Sequence, residues 1–353
     1  MFPLAFPLGI LRRRAKREQA VLDPFCGRGT TNFAAKMLGL GSLGVDSSPV
    51  AAAITGAKLV PPSALQIMAE AKDILACTEP CEVPAGEFWE WAYHPDVLVA
   101  LCGFRTALLQ DCSTAVRIAL RGIILGALHG PRQKTFQSYF SNQSPRTYAP
   151  KPGYAARYWR ERNCYPLRVD VLDIIERRAQ RYYQAAPEGN GSVGLGQVRL
   201  GDSREAESLV PDKDGARFSW VITSPPYYGM RTYISDQWLR YWFLGGAERV
   251  DYTSERQIMH SSPGEFASDL KTVWNNAAKV CTPEATLVLR FGGITDRRVD
   301  PLELVRRSFD GSVWSIRSVH QAGSAPGGKR QADAFLRHKS KPLPEYDLWA
   351  GLA

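Results

Sequence analysis

At 353 residues and 44% hydrophobic content, the chain is long enough to bury a sizeable core, either as one large domain with an insertion or as two domains. No run approaches the roughly 18 to 20 apolar residues a bilayer crossing takes. The opening MFPLAFPLGILRRRAKR puts its apolar part before its basic part, the reverse of a secretory signal, so a cytoplasmic protein without a membrane partner is expected. The net charge of +9 suits a polyanionic partner, and seven scattered cysteines in a chain this size exclude a disulfide framework.

In chain order, the first basic cluster is RRRAKR at 12–17, which suits either the solvated face of a first helix or a phosphate contact. AVLDPF near 20–25 is a short apolar run ending in turn residues, the pattern of a buried parallel strand. TTNFAAKMLGLG then reads as a helix closing on glycine, and SLGVD near 42–46 as a second strand.

From about 61 to 196 the signals become mainly helical: ALQIMAEAKDILA, PDVLVALCGFRTALL, TAVRIALRGIILGALHG and VDVLDIIERRAQRYYQ. The pattern predicts a helical insertion over 61–196 within a catalytic domain formed by 1–60 and 197–353. PEGNGSVGLGQ at 187–197 reads as the return to the core. FSWVITS near 218–224 and ATLVLRFGG near 285–293 are two more strands, with the helical pattern EFASDLKTVWNNAAKVC leading into the last of them. Such alternation argues an α/β doubly wound sheet. Cys77 and Cys81 form a C-x3-C pair, but no partner pair follows at metal-ligand spacing, so no metal is expected.

Two stretches carry chemistry. VLDPFCGRGTT at 21–31 is a strand, a glycine turn and a helix start, where Gly27 and Gly29 let the backbone approach a ligand and Thr30 and Thr31 offer helix N-terminal N–H groups. A P-loop lysine is absent, and so is the third glycine of a dinucleotide fingerprint. Asp46, ending the next strand, can accept from ribose hydroxyls, so a nucleoside without a required pyrophosphate is implied. The second stretch is VITSPPYYGM at 221–230. Prolines cannot donate to a sheet ladder, so the strand must stop there, on a stiff and aromatic edge.

Together, DPFCGRGTT and TSPPYYG resemble the S-adenosylmethionine-dependent amino-methyltransferases that methylate exocyclic amines of DNA bases. The leading serine is most like the cytosine-N4 branch, while adenine-N6 enzymes more often carry aspartate there and remain the close alternative. AYHPDVL and SYFSNQSPRTYAPKPGYAARYW look like a subgroup of bacterial and phage DNA methylases. The resemblance implies a Rossmann-like class I methyltransferase fold, with a mostly parallel seven-stranded sheet, S-adenosylmethionine as cofactor, double-stranded DNA as partner and a cognate restriction enzyme as a candidate companion.

FPLAFP, with Phe6, is similar to the motif that holds the methionine end of the cofactor, and LGDSRE at 200–205 to a strand-three segment whose acid meets the adenine. Cofactor residues would then be Phe6, Asp23, Pro24, Phe25, Gly27, Gly29, Thr30, Thr31, Asp46, Ser47, Asp202 and Ser203. Ser224, Pro225, Pro226 and Tyr227 would be catalytic. The amine of cytosine is a poor nucleophile because its lone pair is delocalised, and acceptors such as Ser224 Oγ and the Pro225 carbonyl, aimed at its N–H protons, help it become tetrahedral. The base must be flipped out or single-stranded, with Tyr227 or Tyr228 as its stacking surface. No covalent intermediate is needed, and Cys26 reads as a small packing residue.

Between residues 129 and 168, eight Lys or Arg and one acid are interleaved with aromatics. This stretch is expected to face DNA through Arg132, Lys134, Tyr139, Arg146 and Lys151, with Tyr228 and Arg231 contacting DNA from the other motif.

Overall fold

The structure is a computed structural model that describes residues 2–77, 82–132, 136–141, 152–183, 196–212, 216–229, 234–250, 262–293, 299–323 and 344–352. Two compact units emerge. One comprises 1–55, 194–231 and 256–353; the other comprises 56–193 and 232–255. The second unit therefore takes in a segment, 232–255, that the sequence pattern assigned to the catalytic region.

In the first unit, seven strands form a single sheet in the order β3-β2-β1-β4-β5-β7-β6: β1 Ala20–Asp23, β2 Gly41–Asp46, β3 Gly196–Leu200, β4 Phe218–Thr223, β5 Cys281–Phe291, β6 Trp314–Gly323 and β7 Glu345–Leu352. The first five run parallel, and β7 lies antiparallel between β5 and β6. The α/β Rossmann-like class I methyltransferase architecture expected from the sequence is the one observed. The four strands read from apolar runs are all present, while β6, interrupted by polar residues, and β7, which opens on Glu345 and Asp347, were not read as strands.

Helices cover both faces because neighbouring strand residues point to opposite sides. Val21, Trp220, Ile222 and Val288 pack with Ile10 and Leu11 of α1 (Ala5–Arg14) and with Ala34 and Ala35 of α2 (Thr30–Met37). Leu22, Val221, Leu287 and Leu289 face the other way, onto Phe266, Leu270, Val273 and Trp274 of α11 (Pro263–Lys279) and Leu304 and Val305 of α12 (Pro301–Phe309). Ser262 caps α11 by accepting from the Glu265 N–H at 3.1 Å. The strand order reverses between β1 and β4, and at such a switch point the carboxyl ends of the strands open a crevice for a ligand.

The other unit is helical, and the boundary between the units falls inside α3 (Pro49–Leu59). Its members are α4 (Ala64–Cys77), α5 (Glu87–Ala92), α6 (Pro95–Gln110), α7 (Ala115–Ala127), α8 (Pro152–Glu161), α9 (Val171–Tyr183) and α10 (Ile234–Phe243). An aromatic cluster holds the last of these: Trp89 lies 4.7 Å from Trp242, and Phe88 lies 4.9 Å from Trp238. Arg105 Nε donates to the Trp242 carbonyl at 2.8 Å. These contacts explain why 232–255 groups with the helices. No described helix is long and apolar enough to cross a membrane.

Candidate active site

The neighbouring strands β1 and β4 end side by side, registered Val21 to Trp220 and Leu22 to Val221. Their next residues meet directly. The Thr223 hydroxyl donates to Asp23 Oδ1 at 2.6 Å, and the Phe25 N–H donates to the same oxygen at 3.2 Å. Asp23 is 2% exposed. Burial pushes its carboxyl up to about 6, against the pull of the Thr223 and Thr31 hydroxyls and the Phe25 N–H, with Asp46 adding repulsion. The Thr31 hydroxyl donates to the Ile222 carbonyl at 3.1 Å, pinning the start of α2 to β4.

The glycine turn is built from its own hydrogen bonds. Asp46 accepts from the Gly27 N–H at 2.8 Å and from the Ser48 N–H at 2.9 Å, and burial raises its carboxyl. Thr55 Oγ1 donates to the Gly27 carbonyl at 3.0 Å. Gly29 has φ +70, and a Cβ there would sit 2.6 Å from Thr55, so glycine is required twice over. At Gly27 a Cβ would meet only the Phe25 carbonyl, at 3.9 Å, which leaves the turn open on that side. No side chain caps α2. An open glycine turn, an uncapped helix start and a strand-end carboxylate fit the nucleoside and amino-acid ends of S-adenosylmethionine.

Beyond Thr223, which pairs with Leu289, the β4 ladder stops. Ser224 is half-buried, Pro225 buried, and neither Ser224 Oγ nor the Pro225 carbonyl has a hydrogen-bond partner among the described residues. Tyr227 is half-buried with its ring edge-to-face with Phe291, 5.5 Å between centroids at 75°, and its hydroxyl donates to Glu345 at 2.9 Å. Tyr228 instead lies in the core against Phe266 at 5.5 Å, which removes it as a stacking surface or DNA contact. Of the two tyrosines that the sequence left open, Tyr227 is the more exposed.

The remaining cofactor candidates divide. Phe6 is half-buried under the Arg290 guanidinium, 3.8 Å from its ring centroid, and Phe25 packs edge-on against Trp274. Pro24 is buried and its carbonyl accepts from Ser203 Oγ at 2.7 Å, so both residues hold the turn to the segment after β3. Ser47 is exposed beside Asp46, and Thr30 is half-buried at the head of α2. The Asp202 carboxylate is engaged by Arg204 through both oxygens, 2.6 Å to the closest nitrogen, while Arg204 also reaches Asp269 at 3.1 Å. Burial opposes ionisation of Asp202, but the Arg204 hydrogen bonds and charge hold its carboxyl below the usual value. Thr223, inside TSPPYYG, had no role assigned from sequence, and the sequence missed Thr55, Arg290 and Glu345, which carry no motif of their own and join the site only through the fold.

Cys26 is buried in the turn, and burial drives its thiol well above the ordinary value, so it offers no thiolate. The chain has one Pro-Cys dipeptide, the pairing associated with cytosine-C5 chemistry, at Pro80 and Cys81; it lies in the 61–196 stretch and outside the described residues. No cluster of potential metal ligands occurs among the described residues.

In the helical unit, Arg132 is exposed and its guanidinium donates to the Tyr165 carbonyl at 2.8 Å. Tyr139 lies under Arg178, 4.9 Å from guanidinium carbon to ring centroid. Lys134, Arg146, Lys151 and Arg231 lie outside the described residues. The aromatics of the basic stretch split by burial: Phe140 and Trp159 are core, whereas Phe136, Tyr154 and Tyr165 are exposed. Along α1, Arg12, Arg13 and Arg14 stand exposed in the last turn, where cations favour the helix dipole, and Arg14 covers the Trp349 ring at 4.7 Å.

Residues 1–55 match the family model described as DNA methylase. No curated protein sequence matches the chain. Among solved structures, the rRNA methyltransferase aviRa from Streptomyces viridochromogenes is similar at 12% identity and a TM-score of 0.36, over 99% of this chain and 85% of that one. An rRNA methylase from Streptococcus thermophilus is similar at 7% identity and a TM-score of 0.37, over 100% of this chain and 97% of the other. At such scores neither likeness bears on the reaction. The N-terminal match and the sheet order do, and they support a methyltransferase whose methyl donor is S-adenosylmethionine.

Proposed function

We propose that this chain methylates the exocyclic N4 amine of cytosine in DNA, by direct attack from a base held outside the stack. The observation that carries the reading is the adjacency of two strand ends: Asp23 leads into the glycine turn, the Ser224 to Tyr227 tetrad follows β4, and one hydrogen bond between Thr223 and Asp23 joins them.

When bound, S-adenosylmethionine supplies an electrophilic methyl group on a positively charged sulfur. The protein must then sharpen a weak nucleophile. Ser224 Oγ and the Pro225 carbonyl, without partners among the described residues, are suited to accept the two N–H bonds of the amine and to stabilise the positive charge that develops on nitrogen. The prolines keep that carbonyl out of the ladder and fixed in direction. Half-buried Ser224 also gives the proton lost from nitrogen a route to solvent. The Tyr227 ring offers the base a face, and base–aromatic stacking worth about 1 to 3 kcal/mol offsets much of the few kcal/mol of unpairing.

Serine at the head of the tetrad favours cytosine over adenine, since the resemblance associates aspartate with the adenine branch. DNA rather than RNA is favoured by the DNA methylase match over the residues that form α1, β1, α2 and β2. In the helical unit, Lys134, Arg146, Lys151 and exposed Arg132 supply phosphate contacts, and Arg231 supplies another beside the tetrad. A palindromic target and a companion restriction enzyme fit this role.

Incubating the protein with methyl-labelled S-adenosylmethionine and unmethylated mixed-sequence DNA, followed by digestion to nucleosides and mass spectrometry, tests the reading. N4-methyldeoxycytidine is expected. N6-methyldeoxyadenosine would overturn the choice of base, and label transfer to RNA alone would overturn the choice of polymer.

A further inference from the structure

We infer that Glu345, the first residue of β7, is the positioning residue for Tyr227, fixing the ring in the one orientation that can receive the target base; this rests on the reading of Tyr227 as the stacking surface. The tyrosine follows a strand and a pair of prolines, so nothing in its own backbone fixes the ring. Two contacts bear on it: the ring meets Phe291 edge-to-face, and the Tyr227 hydroxyl donates to Glu345 Oε1 at 2.9 Å, with Gly292 beside both.

Register explains the arrangement. Phe291 pairs with Tyr346, which sets Gly292 opposite Glu345 just past the end of β5. A Cβ at Gly292 would come within 2.9 Å of Glu345 Cγ and 3.4 Å of the Tyr227 hydroxyl oxygen. The missing side chain is what lets the carboxylate and the phenol meet. Two residues along, Asp347 shares the face of Glu345 and binds Arg290 through both oxygens at 2.7 Å each, while Arg290 covers Phe6. With Arg290 committed to Asp347, Glu345 is available to the phenol, and a charge-assisted hydrogen bond holds a ring more firmly than packing alone. A single antiparallel strand thereby steadies both the stacking tyrosine and the N-terminal aromatic expected at the cofactor.

The test compares Glu345→Ala, Glu345→Gln and Tyr227→Phe for DNA methylation, for S-adenosylmethionine affinity, and by 19F NMR after 3-fluorotyrosine labelling. The resonance lost in Tyr227→Phe identifies the ring. Glu345→Ala should lower kcat/KM for DNA about ten-fold, the factor that corresponds to one charge-assisted hydrogen bond of about 1.4 kcal/mol, and should shift and broaden the Tyr227 resonance. Cofactor affinity should not change. Glu345→Gln, which keeps a carbonyl acceptor, should recover most of the rate and the resonance position. Adding Tyr227→Phe to Glu345→Ala should cost nothing further. Multiplying losses in the double variant, or a Tyr227 resonance unmoved in Glu345→Ala, would overturn the inference. A wild-type protein that methylates no nucleic acid would overturn the function proposed above instead, and the resonance would still decide whether Glu345 holds the ring.

Discussion

The acids that shape the glycine turn and the arginines of the helical unit put charge to different uses. In the catalytic unit, acids at strand ends are drawn inward and spend their oxygens on the backbone and hydroxyls of the turn: Asp23 takes Thr223 and Phe25, and Asp46 takes Gly27 and Ser48. In the helical unit the holding is done by half-buried and exposed arginines. Arg177 pairs with Asp173 and lies over Phe136, Arg178 lies over Tyr139 and donates to the Ser138 carbonyl, and Arg168 pairs with Asp96 at 2.9 Å. A buried carboxylate tolerates one geometry and is costly to misplace, whereas an exposed ion pair is worth about 0 to 1 kcal/mol. The contrast teaches where to look for a reaction and where for a contact surface.

The sharpest way to break that contrast is to remove the open acceptor or the ring at the tetrad. Ser224→Ala is expected to lower the methylation rate about 10²- to 10³-fold, the usual consequence of losing a preorganised polar group that acts in the transition state, and Tyr227→Ala about 5- to 150-fold, the factor that corresponds to stacking worth about 1 to 3 kcal/mol. Titration with S-adenosylmethionine should show affinity nearly unchanged, since neither residue belongs to the glycine turn. Wild-type turnover in both variants would move the chemistry elsewhere in the molecule.

Next in size is a pH effect in the catalytic unit. The Asp23 carboxyl is raised from 3.8 to about 6, so the folded state holds the proton more tightly than the unfolded chain. Its contribution is fully present below 3.8 and is lost as pH rises through about 6, by up to about 3 kcal/mol. Asp23→Asn keeps an acceptor for Thr223 but cannot ionise. Urea melts between pH 4 and pH 8 should therefore show the wild type losing stability relative to the variant across that window. Parallel curves would mean that Asp23 ionises in the fold without penalty.

How much of this was legible beforehand follows the same division. The glycine turn and the tetrad were visible as strings because backbone conformation dictates their residues: Gly29 must have positive φ, and Pro225 and Pro226 must end a ladder. The partners that hold them were not visible, because a side chain chosen for one long-range hydrogen bond leaves no local pattern. Glu345 is 118 residues from Tyr227, and Thr223 is 200 from Asp23. The grouping of 232–255 with the helices was not visible for a similar reason: its tryptophans are read only against Phe88 and Trp89. Asp202 looked available to the cofactor in sequence, yet Arg204, two residues on, engages both its oxygens.

A smaller effect is expected from Gly29→Ala. A non-glycine residue at φ +70 costs about 1 to 2 kcal/mol before the Thr55 contact is counted. The melting temperature should fall by roughly 2 to 8 °C, at 2 to 4 °C per kcal/mol for a unit of this size. Cofactor affinity should fall with it, since the same turn serves both. A variant that melts normally and binds normally would show that the turn relaxes around a side chain.

The smallest effect concerns the helical unit and is read as a slope rather than a rate. Arg168 spends its guanidinium on Asp96, so Arg168→Glu should mostly disturb that exposed pair and cost under about 1 kcal/mol. Arg157, exposed on α8 and paired with no described carboxylate, has no such internal duty. If the helical unit meets phosphates, Arg157→Glu and the Arg146→Glu/Lys151→Glu double variant should each flatten the dependence of log affinity on log salt, by about 1 per lost contact, with every sequence weakened alike. Equal flattening by Arg168→Glu would mean that the ion pairs yield to DNA and that the unit acts through its summed charge. No flattening in any variant would leave the helical unit with its aromatic core and no role at the nucleic acid, and would assign DNA contact to the catalytic unit.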